Sequence, residues 1–170
     1  SFSHPKSGDL SLANPDKAIR DFWIEHTKRC RRIADAMGKA QGDPCIMNIW
    51  VHDGSKDLTV ERYRYRQILK ESLDEILAED LPHMKSCLEA KLFGIGLEAY
   101  TVGSHDFFAG YCSKNNAIYT LDTGHYEPTE NVSDMVSSLL LFVPELMLHV
   151  SRPMHWDSDH VTLFDDNTRN

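Results

Sequence analysis

The chain has 170 residues, of which 41% are hydrophobic and 26% charged, and 18 basic side chains stand against 26 acidic ones for a net charge of -8. This composition is typical of a globular domain with one core. Because the chain is acidic and has no cluster of five or more Lys and Arg, we expect no nucleic-acid or membrane partner. It has no signal-peptide pattern and no apolar run of membrane-spanning length, which predicts a cytoplasmic protein. The four cysteines form no C-x-x-C pair, so free thiols are expected.

Helical and strand patterns alternate along the chain. The first helix is predicted to begin after Asn14 as N-cap, with Pro15 at its first position, and to end near Gly42. Its apolar face is predicted to include Ile33 and Met37. The further predicted elements are a strand over 45–51, a helix over 59–80, a weak strand over 86–91, a loop with a short helix over 106–113, a strand over 117–122, a helix from Thr129 through 143, and strands over 145–150 and 160–164.

The predicted strands end at regular intervals, which indicates a parallel sheet. Strand ends near Val51, Lys91, Asp122 and His149 are 40, 31 and 27 residues apart. Each interval has the length of one strand, one helix and two turns. A closed eight-stranded barrel takes about 250 residues. The sequence therefore predicts an α/β protein that is either an open sheet or part of a barrel.

Polar side chains of metal-ligand type follow these strands. In parallel α/β folds the strand C-termini meet at one face, where functional groups lie. Glu89 and Lys91 are two residues apart, so in a strand they point to the same side. One imidazole and two carboxylates suit a divalent ion such as Mn, Mg, Co or Zn. The candidates chosen in this way are Trp50, His52, Asp53, Glu89, Lys91, Asp122, His125, His149, Asp157 and Asp159.

Each candidate also has a purely structural interpretation. Asp157 and Asp159 can be turn residues, His149 a core residue, and Asp122 a cap of the turn at Gly124. Glu89 can simply pair with a lysine. The metal site is favoured because several candidates converge on one predicted face. The segment with two glycines after Lys91 lacks the spacing of a dinucleotide fingerprint.

Five stretches of the chain resemble the L-rhamnose isomerase family: FWIEHTKRCRR, MNIWVHDGSKDLTVER, KLFGIGLEAYTVGS, LDTGHYEPTE and HVSRPMHWDSDHV. The pattern HVSRP-x-x-WDSDHV separates this family from other sugar isomerases. The resemblance implies a xylose-isomerase-like (β/α)8 TIM barrel, of which this chain covers about half. Residues 1–170 are then the central part of a single catalytic domain, because the family chain is more than twice as long.

The resemblance also implies site residues and a reaction. It places a catalytic Mn2+ on His125, Asp157 and Asp159, and a second, structural ion, Zn2+ or Mn2+, on Glu89, Asp122 and His149. Lys91 matches the family's active-site lysine, and Asp159 and His125 complete the implied catalytic residues. Trp50 matches the aromatic wall of the sugar pocket. The implied activity is conversion of L-rhamnose to L-rhamnulose by a metal-assisted 1,2-hydride shift in a homotetramer.

Parts of the family's site have no counterpart in these residues. They are a histidine from its first strand and aspartates that follow the last residue seen here. We therefore expect the 170-residue segment by itself to be inactive and of low stability. Two other functions stay open on the same fold, a metal-dependent hydrolase or aldolase and a non-catalytic barrel fragment.

Overall fold

The structure is a computed structural model that describes residues 4–57, 59–91, 99–127, 129–152 and 159–170. Its helices are α1 (Lys17–Gln41), α2 (Arg62–Leu77), α3 (His105–Asn115), α4 (Val132–Leu139) and α5 (Asp166–Arg169). Its strands are β1 (Cys45–Trp50), β2 (Gly54–Ser55), β3 (Met84–Glu89), β4 (Tyr100–Thr101), β5 (Ile118–Asp122) and β6 (Leu146–His149). A 3-10 turn, Thr123–His125, follows β5.

Four of the strands form a parallel sheet in the order β1-β3-β5-β6. Trp50 pairs with Glu89, Glu89 with Thr120, and Asp122 with His149. Each strand that comes later in the chain is added at the same edge. The short strands β2 and β4 form a separate antiparallel pair. The predicted α/β class and the parallel sheet are confirmed, and the predicted strand ends agree with the observed ones to within two residues.

The two faces of the parallel sheet differ in chemistry. Right-handed crossovers that all advance in one direction place α2, α3 and α4 on the same face. Buried Ile49, Leu88 and Leu121 belong to the same apolar core as residues of α1, α2 and α3. Side chains alternate along a strand, so Glu89 and Asp122 point to the opposite face. None of the described helices has the length and apolarity needed to cross a membrane.

Helix α1 begins two residues later than the sequence predicts. The side chain of Asp16 accepts a hydrogen bond from the Ala18 amide at 2.9 Å, which makes Asp16 the N-cap. Asn14 instead accepts from the Asp16 amide and donates to the carbonyl of Leu10. Asn14 therefore shapes the turn that leads into the helix. The predicted end is confirmed, because Gly42 adopts the left-handed conformation with φ of 78°.

The buried face of α1 also differs from the predicted one, since Ile33 and Met37 are 60% and 55% exposed. Arg31 is buried in their place. Its guanidinium donates to the carbonyls of Ile76 and Glu79 at the end of α2 and to the hydroxyl of Ser86. Burial lowers the pKa of Arg31. The helix thus turns a charged residue inward, where it satisfies carbonyls that the end of α2 leaves without partners.

Three further predictions were wrong in part. Helix α4 begins after Asn131 rather than at Thr129, and it ends at Leu139, followed by a turn. Residues 160–164 are not a strand: His160 forms an isolated bridge with Arg152, and no described strand pairs with the residues that follow. Tyr100–Thr101, predicted as loop, pairs with Gly54–Ser55.

Asp53, a candidate from its position after a strand, has a structural role. Its buried carboxylate accepts hydrogen bonds from the Ser11 amide at 2.8 Å, the Ser11 hydroxyl and the Ala13 amide at 2.6 Å. Burial raises the pKa of Asp53, and these three donors oppose that rise. The carboxylate thereby ties the segment before α1 to the end of β1.

All four cysteines are free, as predicted. Cys87 and Cys112 are buried in the core. Burial raises the pKa of Cys87 to about 11 and that of Cys112 to about 12, which keeps both thiols protonated and unreactive.

The contact between α1 and the start of β3 predicts opposite effects for two helical glycines. A Cβ on Gly38 would overlap the carbonyl oxygen of His83 and lie 2.8 Å from the amide of Cys45, both backbone groups that cannot move aside. Gly38→Ala is therefore expected to lower the free energy of unfolding by about 2–4 kcal/mol. Gly110→Ala, with open space around its Cβ, is expected to raise it by up to about 1 kcal/mol. Urea unfolding of the intact protein measures both, and equal effects would contradict the proposed clash.

Candidate metal centre

Three potential metal ligands meet at the C-terminal ends of neighbouring strands. Glu89 ends β3, Asp122 ends β5 and His149 ends β6. One ligand atom from each lies within 4.8 Å of the other two. Within the described parts of the chain, this is the one group of three or more such residues. The parallel register creates the group, because it brings the last residues of adjacent strands level with each other.

Asp122 has one oxygen that is fully bonded and one that is not. Its Oδ1 accepts hydrogen bonds from the Gly124 amide at 2.8 Å and from the Ser151 hydroxyl at 2.9 Å. Its Oδ2 is buried and accepts no hydrogen bond from any described residue, although Nδ1 of His149 lies 2.7 Å away. A buried polar atom without a donor costs free energy. A cation bound at Oδ2 would remove that cost.

Glu89 is held by a polar chain that crosses three strands. The side-chain amide of Asn48 on β1 donates to Oε2 of Glu89, and the amide oxygen of Asn48 accepts from the Thr120 hydroxyl at 2.8 Å. Burial raises the pKa of Glu89, and the nearby charge of Asp122 adds to the rise. Oε1 of Glu89 lies 3.8 Å from Nδ1 of His149. Oε1, the oxygen that Asn48 does not bind, thus lies near the ring of His149.

The donor set fits a divalent ion. Two carboxylates and one imidazole form the mixed oxygen and nitrogen site that Zn2+ and Mn2+ accept. Ligand atoms at about 2.1 Å from an ion lie at most about 4.2 Å apart, and the three observed ligand atoms lie within 4.8 Å of one another, so only a small contraction is needed. Two buried carboxylates side by side are also costly unless positive charge compensates them. The cluster can therefore hold a divalent metal, of unspecified identity.

His125 lies against this cluster on the 3-10 turn. Its Nδ1 is 2.8 Å from the carbonyl oxygen of Ala90 and 3.3 Å from Oε1 of Glu89. In the tautomer that carries its proton on Nδ1, the neutral ring donates to the Ala90 carbonyl. Nε2, 3.4 Å from Oδ2 of Asp122, then carries the lone pair. Metal-binding histidines show this arrangement, in which the second ring nitrogen donates to a carbonyl or carboxylate.

Lys91 and Trp50 form the wall next to the cluster. Lys91 is 1% exposed, and its Nζ lies 4.7 Å from the centre of the Trp50 ring. Such a contact is a cation–π interaction, which is strongest when the cation is shielded from water. The ring of His52 lies 6.2 Å from that of Trp50, and its Nε2 is 3.0 Å from the Ser7 hydroxyl. His52 therefore connects this wall to the segment before α1.

The structure describes one of the two remaining predicted ligands. Asp157 lies outside the described residues. Asp159 is exposed, has a left-handed φ of 45°, and is not part of the Glu89 cluster. The predicted set of His125, Asp157 and Asp159 therefore stays a prediction.

Sequence reasoning missed several residues that support the cluster. Asn48 and Thr120 stand two positions before Trp50 and Asp122, so strand alternation could have placed them on the same face. Ser151 carries no such signal, because it binds Asp122 from a segment after β6. No sequence pattern marks His105 either, whose ring contacts the residue after His125.

Comparison with known proteins identifies relatives along the whole chain. The family model described as L-rhamnose isomerase (RhaA) matches residues 1–170. A curated L-rhamnose isomerase from Bacteroides thetaiotaomicron is 71% identical over 168 residues, which is 99% of this chain and 40% of that relative. L-rhamnose isomerases from Pectobacterium carotovorum and Mannheimia succiniciproducens are 53% and 52% identical, each over 99% of this chain and 41% of their own length.

The chain thus spans about two fifths of the length of the curated relatives it matches. The matched region contains every residue of the cluster described above. On this match over all of its residues, the chain belongs to the L-rhamnose isomerase family.

Proposed function

We propose that residues 1–170 are the central part of a single catalytic domain with a (β/α)8 barrel. The strand order supports this, because sheet order follows chain order without the reversal that marks a doubly wound sheet. The two edge strands also support it. Ile46 on β1 and Leu148 on β6 are 56% and 55% exposed, and further strands and helices of a barrel would cover them.

The whole protein is proposed to interconvert L-rhamnose and L-rhamnulose, as a cytoplasmic tetramer. The observation that carries this proposal is the cluster of Glu89, Asp122 and His149 beside Lys91 and Trp50. It lies at the C-terminal ends of parallel strands, where enzymes of this class place their chemistry. The relatives named L-rhamnose isomerase provide the substrate and the reaction.

The metal ligands are proposed in two sets. Glu89, Asp122 and His149 would hold a structural Zn2+ or Mn2+. His125, through Nε2, would hold a catalytic Mn2+ together with Asp157 and Asp159, which the family resemblance places there. When bound, such an ion supplies a Lewis acid for the C1 and C2 oxygens of the open-chain sugar.

The residues of this chain would then bind and orient the sugar. The Lys91 ammonium donates to O1 and stabilises the negative charge that develops there, while the Trp50 ring covers an apolar face of the sugar. A hydride moves from C2 to C1, O2 loses its proton as it becomes the carbonyl oxygen, and O1 gains a proton. Burial of Lys91, Glu89 and His125 keeps water away from the transferred hydrogen.

The proposed activity predicts metal-dependent ketose formation. The intact protein that contains these residues is expected to convert L-rhamnose to a ketose, to lose this activity in EDTA and to regain it with added Mn2+. D-xylose, as control sugar, is expected to react far more slowly. Hydrolysis of esters or phosphates with free sugars left unchanged would instead indicate a hydrolase on the same fold.

The proposed structural ion predicts a change in metal content. Asp122→Asn keeps Oδ1, and with it the bonds to Gly124 and Ser151, but replaces the oxygen that would face the ion. We expect the intact wild-type protein to contain two ions per chain and this variant to lose one of them after dialysis, as measured by elemental analysis. Glu145→Gln is the matched control, because Glu145 is exposed at the other end of the same sheet. Full metal content in Asp122→Asn would contradict the assignment.

The proposed hydride shift predicts no exchange with solvent. When the reaction runs in heavy water, the transferred hydrogen stays on the sugar, so the ketose is expected to carry almost no deuterium at C1. Mass spectrometry and proton NMR of the product measure this label. Substantial deuterium at C1 would indicate proton transfer through an enediol and would overturn the hydride shift.

A further inference from the structure

One side-chain amide of β1 links the carboxylate of Glu89 to a hydroxyl on β5. Nδ2 of Asn48 donates to Oε2 of Glu89, and Oδ1 of Asn48 accepts from the Thr120 hydroxyl at 2.8 Å. In the sheet Thr120 is level with Glu89, whereas Asn48 is level with Cys87, two positions earlier on β3. Because β3 lies between β1 and β5, the amide passes over β3 to reach a strand that is not its neighbour.

The two ends of the Asn48 amide are not interchangeable. An amide oxygen turned toward the charged Glu89 carboxylate would place two acceptors against each other, so the NH2 end faces Glu89. The oxygen end then faces Thr120, whose hydroxyl can donate. Thr120 is 1% exposed, so water has little access to replace that hydroxyl. Thr120 therefore stabilises the orientation in which Asn48 donates to Glu89.

This contact engages one oxygen of Glu89 and leaves the other beside the imidazoles. Oε1 lies 3.3 Å from Nδ1 of His125 and 3.8 Å from Nδ1 of His149. The last torsion of a glutamate side chain is broad and roughly two-fold, so a carboxylate without a partner on Oε2 is free to rotate. The amide of Asn48 restricts that rotation and keeps Oε1 on the side of the two rings.

We propose that Asn48, oriented by Thr120, is a positioning residue for Glu89, which it fixes so that Oε1 rather than Oε2 is offered to an ion at the cluster of Glu89, Asp122 and His149. This rests on the proposed function, which makes Glu89 a ligand. Asn48 acts through Glu89 and not by binding the ion. Partners that orient metal ligands typically change metal affinity by about 10- to 100-fold when they are removed.

The same hydrogen bonds also stabilise the fold, because a buried acceptor without a donor costs free energy. That contribution is present whether or not an ion is bound, and it changes the melting temperature of the metal-stripped protein. Orientation of Glu89 acts in addition on the affinity for the ion. The two roles are therefore separated by measuring affinity and metal-free stability on the same variants.

Four substitutions carry the test. Thr120→Val keeps the shape of the side chain and removes the donor to Asn48, and Thr120→Ser restores a hydroxyl. Asn48→Leu removes the donor to Glu89 itself. Thr27→Val is the matched control, because Thr27 is a buried threonine of α1 whose hydroxyl donates to the Trp23 carbonyl at 2.9 Å, away from the cluster.

The measurement is Mn2+ titration of the metal-stripped intact protein by calorimetry, with the melting temperature of each metal-stripped variant. We expect Asn48→Leu to weaken the Glu89-dependent ion by about 10- to 100-fold and Thr120→Val by about 10-fold. Thr120→Ser is expected to stay within about 3-fold of wild type. Thr27→Val is expected to lower the melting temperature and to bind as wild type does.

Three results would overturn the proposal. They are wild-type affinity in Asn48→Leu, equal losses of affinity in Thr120→Val and Thr120→Ser, and a loss in Thr27→Val as large as that in Thr120→Val. A loss in Asn48→Leu with none in Thr120→Val overturns the part assigned to Thr120. If Asn48→Leu does not fold, the two variants at position 120 decide the outcome.

Glu89→Gln tells this failure from that of the proposed function. Its amide oxygen can still accept from Asn48, while its NH2 group would replace the oxygen offered to the ion. If Glu89→Gln loses one ion while Asn48→Leu and Thr120→Val bind normally, only the positioning role is overturned. If Glu89→Gln keeps both ions at wild-type affinity, the metal role of Glu89 is overturned, and with it both proposals.

Discussion

Two buried carboxylates on neighbouring strands are the constraint around which this structure is arranged. Glu89 and Asp122 are 4% and 2% exposed, and removing charges from water without compensation is costly. Three donors bind them, an amide on β1, a backbone N–H after β5 and a hydroxyl after β6, and two imidazoles lie beside them. Even so, Oδ2 of Asp122 has no hydrogen-bond donor among the described residues.

The precision of this cluster comes from its backbone framework. Gly124 lies so close to Ser151 that a Cβ would overlap the serine hydroxyl, and this closeness lets both groups donate to Oδ1 of Asp122. On the other face of the sheet, Ile49, Leu88 and Leu121 pack in the apolar core. Rigid packing on one face therefore holds polar groups in position on the other, as functional sites in α/β folds require.

The parts that could be predicted from sequence depend on local patterns. Apolar runs that stop at polar residues mark the strand ends near Asp122 and His149. Because the C-termini of parallel strands share a face, Glu89 is then predicted to lie beside these two residues. The parts that could not be predicted depend on choices between similar residues or on distant contacts. Asn14 and Asp16 are both good caps, and only the fold shows which one begins the helix.

Distant contacts also explain the other errors. The apolar pattern of α1 points to Ile33 and Met37, but the carbonyls at the end of α2, more than forty residues away, favour Arg31 on the buried face. Residues 160–164 have the composition of a strand, and a strand forms only where a neighbouring backbone offers hydrogen bonds. Ser151 acts on the site across a turn that no spacing rule connects.

The sheet order also has a consequence for how the protein is made. Because each strand adds next to the one synthesised before it, every β-α-β unit can dock as soon as it leaves the ribosome, with contacts that are short in sequence. The carboxylate cluster depends on a more distant contact, because Glu89 is synthesised sixty residues before His149. Until β6 is in place, the nascent sheet has an uncovered edge and two carboxylates that water still solvates. The cluster can thus form only after β6 has been synthesised.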